Sequence, residues 1–169
     1  MATRSKSDPD HTGRSNNVRD GLDEVDRILL RELAADARTP NNVLAAKARI
    51  APSTALGRVR GLVEDGVLRG THADIDPTLT GRPLQAMVAV RMRAHPRSRL
   101  TKFLHHLADL PGVRNVYLLG GTHDFMIHLA VPDTNALNDF VIEHLSGIPD
   151  VASTETSLIF QHVQSHRFD

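Results

Sequence analysis

The apolar positions change period partway along the chain. Residues 1–21 are almost wholly polar, rich in Ser, Asp, Asn, Thr and Arg, and show no periodicity, which predicts a disordered tail. Order begins at LDEVDRILLREL, where Asp23 can cap a helix and Val25, Ile28, Leu29 and Leu33 recur at helical spacing. Arg38-Thr39-Pro40 breaks it, and NNVLAAKA forms a short second helix. Ile50-Ala51-Pro52 is the next break, with Pro52 suited to the first position of a third helix. That helix runs to Asp65-Gly66 and is expected to bury Leu56, Val59, Leu62 and Val63. The run VLRGTHADID reads as a short two-stranded ribbon, so the first part predicts a winged helix-turn-helix over residues 22–75. DPTLTGRP, residues 76–83, has the Pro and Gly content of a linker.

Beyond residue 83 the period turns to two. PLQAMVAVRM alternates like a strand, and RSRLTKFLHHLADL places Leu100, Phe103, Leu104 and Leu107 on one helical face. VRNVYLL and DFMIHLAV are strands joined by the turn Gly120-Gly121-Thr122-His123. NALNDFVIEHL is a helix with Leu137, Phe140, Val141 and Leu145 together, and VASTETSLIF is a closing strand. The order β-α-β-β-α-β predicts a ferredoxin-like domain over residues 84–160, with 161–169 as a tail. HLADLPGV (106–113) and HLSGIPDV (144–151) align without gaps, as two βαβ halves require. The fold class expected is therefore α+β: an N-terminal winged helix-turn-helix and a C-terminal ferredoxin-like βαββαβ domain.

Two helices cover one face of a four-stranded sheet. Leu84, Ala86, Val88, Val90 and Met92 share one side of the first strand, as do Phe125, Ile127, Leu129 and Val131 in the third. The other side still carries Met87, Ala89, Met126 and Ala130. An apolar patch there is expected to be buried against an identical sheet, making a homodimer.

Composition adds exclusions. The chain has 169 residues and no cysteine, which removes disulfides, thiolate zinc sites and Cys nucleophiles. No apolar run approaches a membrane span, and the start lacks the apolar segment of a signal peptide, so a cytoplasmic location is expected. Net charge is zero, but residues 41–70 hold five basic against two acidic side chains, a local +3. His162 and His166 are four apart and His105-His106 adjacent, with no third ligand at a recognisable spacing, so no metal site is expected. No nucleophile elbow, phosphate loop or other catalytic constellation emerges, and no cofactor is implied.

The basic segment centres on ARIAPSTALGRVRGL, residues 48–62. With Leu56, Val59, Leu62 and Val63 inward, Thr54, Gly57 and Gly61 fall on the opposite face, flanked by Arg58 on one side and Ser53 and Arg60 on the other. Three readings stand: a smooth face that approaches a DNA groove, a close helix-helix contact through small residues, or a solvated face with tolerated glycines. The helix order and local charge favour DNA, with Ser53 and Thr54 near the helix N-terminus and Arg58 as a donor to guanine or phosphate.

LDEVDRILLRELAADART, PSTALGRVRGLVEDGVLRG and GGTHDF together resemble the Lrp/AsnC, or feast/famine, transcriptional regulators, over roughly residues 22–165. The resemblance implies recognition-helix contacts at Ser53, Thr54, Arg58 and Arg60, with Lys47 and Arg49 as phosphate contacts on double-stranded DNA. It also implies dimers assembling into octamers, and an amino-acid effector whose identity the sequence does not specify. Gly121 and Asp124 match the effector loop, and Thr154 and Thr156 lie where the pocket is completed. Chemically, the N–H groups of Gly120, Gly121 and Thr122 suit a carboxylate, Asp124 suits an ammonium group, and His123 suits pH tuning. The alternative for Asp124 is a turn-stabilising carboxylate.

Three positions depart from the family pattern. Arg49 stands where the inter-helix turn usually has glycine, Ala51 where the third helix usually has a capping Ser, and Gly57 and Gly61 where longer polar side chains are common. Two other functions compete with the regulator: an architectural protein that wraps DNA with little sequence choice, and an amino-acid-sensing subunit of an enzyme that binds no DNA.

Overall fold

The computed structural model describes residues 21–93, 97–163, 165 and 168. The expected N-terminal tail, Gly21 excepted, and His166 lie outside them. The chain divides into two compact units between His72 and Ala73.

The first unit contains α1 (Glu24–Ala35), α2 (Asn41–Ala48) and α3 (Pro52–Glu64). Asp23 caps α1 as expected, its carboxylate accepting the Asp26 N–H at 2.8 Å. Leu29, Leu44, Ala45, Ala48 and Ala55 form the core, with Val25, Ile28, Leu33, Ile50 and Val59 packed around them. The starts of α2 and α3 are tied by Asn41, whose side-chain amide donates to the Pro52 carbonyl at 2.8 Å.

Two expectations about this unit are corrected. The buried positions of α3 are Ala55, Gly61 and Leu62, with Arg58 and Val59 half-buried, while Leu56 and Val63 are exposed. The helix is therefore rotated relative to the stripe read from its larger apolar residues. The small Ala55 can sit flush against Leu29, Leu44 and Ala45 in a way that the bulkier Leu56 cannot. Gly61 is consequently not on the outer face, whereas Gly57 is, with nothing within 4 Å of where a Cβ would stand.

The wing is also absent: residues 67–76 form no strand. After Gly66, at φ 70°, Leu68 donates back to the Leu62 carbonyl at 2.9 Å and closes α3. The remaining residues are too few and too polar to pair as a ribbon with a buried side; Val67 and Ile75 are themselves exposed. Residues 76–83 are not featureless either, since Thr78–Thr80 form a 3₁₀ turn capped by the Asp76 carboxylate.

The second unit is β1 (Leu84–Met92), α4 (Arg97–Ala108), β2 (Val113–Leu118), β3 (Phe125–Val131), α5 (Thr134–Val141) with a π-helical turn at Ile142–Ser146, and β4 (Val151–Leu158). The sheet is antiparallel in the order β2-β3-β1-β4, the ferredoxin-like arrangement. Ala86, Val88, Val90, Phe125, Ile127 and Leu129 on one face pack with Leu107, Leu137, Phe140 and Leu145 from the helices. Gly112, at φ 88°, lets the chain pass so closely under β3 that a Cβ there would lie 2.9 Å from the Ala130 carbonyl.

On the opposite face Ala89 and Ala130 are buried by their neighbours and Met87 and Met126 are half-buried. His128 and Gln85 are joined there by a 2.9 Å hydrogen bond, and the His162 ring stands edge-on to His128 at 5.9 Å. Burial lowers the His128 pKa, and the neighbouring His162 and Arg114 lower it further.

Candidate DNA-reading helix and sensing hairpin

The residues expected to touch DNA lie on or beside α3, and the structure sorts them into two groups. Ser53 and Thr54 are exposed in its first turn, and Arg60 is exposed nearly two turns later. Arg58 points the other way. Its guanidinium bonds the carboxylates of Asp23 and Asp26 on α1, the latter at 3.2 Å, and Asp26 is only 2% exposed. The Asp23 pKa is lowered by the Asp26 N–H it accepts and then by Arg58. Arg58 is thus held to α1 with its side chain 35% exposed, because a buried carboxylate requires a cation.

Lys47 is likewise ion-paired, to Glu32 of α1, with half of its side chain exposed. Arg49 is exposed at φ 55°, ψ 44°, in the left-handed conformation its family position requires. Ala51 caps α3 with no side-chain hydrogen bond, the loss expected from having no hydroxyl there.

Asp26 was the residue missed. Its signal was present in the sequence: it shares a helical face with Leu29, Leu30 and Leu33, where an acid cannot remain unpartnered.

In the second unit, the turn between β2 and β3 is closed by the Leu119 N–H donating to the Asp124 carbonyl at 2.8 Å. Gly120, Gly121 and Thr122 are exposed, with Gly121 at φ 148°. Asp124 is anchored twice to β1: its N–H donates to the Val90 carbonyl at 2.9 Å, and its carboxylate accepts the Met92 N–H at 2.7 Å. One carboxylate oxygen therefore stabilises the turn, continuing the β1–β3 ladder past its last backbone pair. His123 reaches the exposed Glu155 of β4, Nε2 to Oε2 3.6 Å.

Thr154 and Thr156 oppose Val90 and Val88, so they share the helix-covered face of the sheet. Glu155 opposes Ala89 on the other face. The chain thus brings His123 to Glu155 and sets Thr154 and Thr156 on the far side of the strand from that pair. Among the described residues no group of three or more His, Asp or Glu side chains could hold a metal ion, and no helix is long and apolar enough to cross a membrane.

A three-helix unit with an exposed, partly basic third helix, followed by a ferredoxin-like unit with an exposed glycine hairpin, defines a DNA-binding regulator. Known proteins agree. Residues 22–63 match the AsnC-type helix-turn-helix domain and residues 85–167 the Lrp/AsnC ligand binding domain. The HTH-type transcriptional regulator AldR of Mycobacterium tuberculosis is 49% identical over 143 residues, 85% of this chain and 80% of that protein. The crystal structure of M. tuberculosis AldR superposes with a TM-score of 0.74 at 43% identity, covering 85% of this chain and 95% of that one. A feast or famine regulatory protein of M. tuberculosis, complexed with L-methionine, gives 0.77 at 31% identity over 88% and 99% of the two chains. The chain belongs to the Lrp/AsnC family of transcriptional regulators. It is a helix-turn-helix DNA-binding protein and not an enzyme, as its regulator relatives show.

Proposed function

We propose that this regulator works as a cytoplasmic homodimer, assembling further to an octamer, whose DNA affinity or assembly responds to a bound amino acid. The observation that carries the reading is the hairpin at residues 120–124, where two glycines and a threonine are exposed and are followed, two residues after Thr122, by an aspartate whose carboxylate is anchored through one oxygen. A free amino acid offers the matching pair, a carboxylate for the N–H groups and an ammonium for the aspartate. The methionine held by the feast or famine relative supports this class of effector. Dimerisation is attributed to the sheet face away from the helices, where half-buried Met87 and Met126 flank the buried Ala89 and Ala130, because an apolar centre of that kind is normally covered.

The test is a thermal-shift screen of the twenty amino acids. It is followed by fluorescence anisotropy with DNA from the protein's own promoter at several salt concentrations, with and without the stabilising amino acid. Specific binding with a clear salt slope, altered by that amino acid, is the expected result. An Asp124→Ala variant that folds and keeps the full ligand shift would rule out the ammonium site.

A further inference from the structure

With Ala55, Val59 and Leu62 inward and Arg58 turned to α1, helical spacing puts Ser53, Gly57, Arg60 and Glu64 on the outermost line of α3, with Leu56 at its edge. The residues of this line are exposed, and the Arg60 guanidinium makes no hydrogen bond or ion pair with any described residue. Leu56 is 42% exposed despite being apolar.

We propose that base recognition rests on Arg60 reading a guanine and Leu56 meeting the methyl group of a neighbouring thymine, while Arg58 is a structural cation held to Asp26 that contacts no base. A helical side chain leans toward the helix N-terminus, so the Arg60 stem covers the turn that contains Leu56 and Gly57. Nothing lies within 4 Å of the Gly57 Cβ position, so this turn can come close to the groove floor while the guanidinium spans what remains. The planar fork of arginine matches guanine O6 and N7, and an apolar side chain against the C5-methyl group separates thymine from cytosine. Glu64 shares the line but sits in the last turn, away from the N-terminal turns that enter the groove. Arg58 is held by Asp26, which at 2% exposure has little water to replace it as a partner.

The experiment is selection from a randomised duplex library with the full-length protein, then anisotropy on the enriched duplex. Wild type is expected to enrich a site with a guanine next to a thymine. Arg60→Ala should lose the guanine preference, a change of roughly 10- to 100-fold at that position. Arg60→Lys should lose it while keeping the salt slope, since it retains the charge without the fork. Replacing the thymine by deoxyuridine should weaken wild type several-fold and leave Leu56→Ala unaffected. Arg58→Met, checked for folding by circular dichroism, should keep the same site preference at a lower thermal midpoint. An unchanged motif in Arg60→Ala and Arg60→Lys overturns the proposal. So does loss of the guanine preference in folded Arg58→Met, or the absence of any enriched motif for wild type.

Discussion

Arg58 of α3 donates to Asp26 of α1 across 3.2 Å, joining residues 32 positions apart in sequence. The contact ties α3 to the N-terminal helix of its own unit, where Asp23 supplies a second carboxylate. A basic residue of α3 is thereby a structural cation.

The consequence is separable by salt. Arg58→Met should lower the thermal midpoint of the protein because Asp26 is left buried without its cation. It should leave the dependence of log affinity on log salt unchanged. Loss of a phosphate contact would reduce that slope by about 1, so a salt titration of the variant checks the assignment.

The turn between α2 and α3 contains two local costs that single substitutions remove. Arg49→Gly relieves the left-handed backbone at φ 55° and should stabilise by up to about 1 kcal/mol. Ala51→Ser restores a hydroxyl at the α3 N-cap and should add about 1 kcal/mol. Urea unfolding curves with unchanged slope and raised midpoints are the expected measurement.

Two glycines should respond in opposite ways to the same change. Gly112→Ala places a methyl group 2.9 Å from the Ala130 carbonyl on a backbone at φ 88°, and should destabilise by roughly 1–3 kcal/mol. Gly57→Ala meets open space in a helix and should stabilise by up to about 1 kcal/mol. Chemical denaturation of the two variants side by side distinguishes strained from free glycine.

His128 predicts a pH dependence with a definite sign. Burial, His162 and Arg114 hold its folded pKa below the ordinary value of 6.5, so the unfolded chain binds the proton more readily. The native state is therefore unpenalised above about pH 6.5. It loses stability as pH falls from there toward the folded pKa, below which the penalty is constant. His128→Gln should flatten this part of the difference between unfolding midpoints at pH 8 and pH 5.5, while NMR titration of the His128 ring reports the lowered pKa directly.

Much of the architecture was legible before any coordinates. Helical or alternating periodicity is a local property, and it placed α1, α2, α4 and α5, the inward residues of α1, α4 and α5, and all four strands of the sheet. Arg49 and Ala51 were legible through the family pattern, which marks a left-handed turn at the first and a helix cap at the second. The rotation of α3 was not legible, because hydropathy ranks Leu56 and Val63 above Ala55 while packing selects the side chain that fits the space left by Leu29 and Leu44. Nor was the missing wing, since alternation over a few residues does not show whether a partner strand can be covered.

What the sequence by itself determined is the order of elements, the division into a helical and a ferredoxin-like part, and the family. Only the tertiary structure decided which charges are available. Arg58 and Asp124 were both read as ligand contacts; Arg58 is held to Asp26, 32 positions away, and one oxygen of the Asp124 carboxylate is taken by the Met92 N–H, also 32 positions away, which leaves the other oxygen for a ligand. The physical reason is common to both. Charged and polar groups must be satisfied wherever the fold removes water, and the partners that satisfy them are brought near by the folded chain, not by spacing along it.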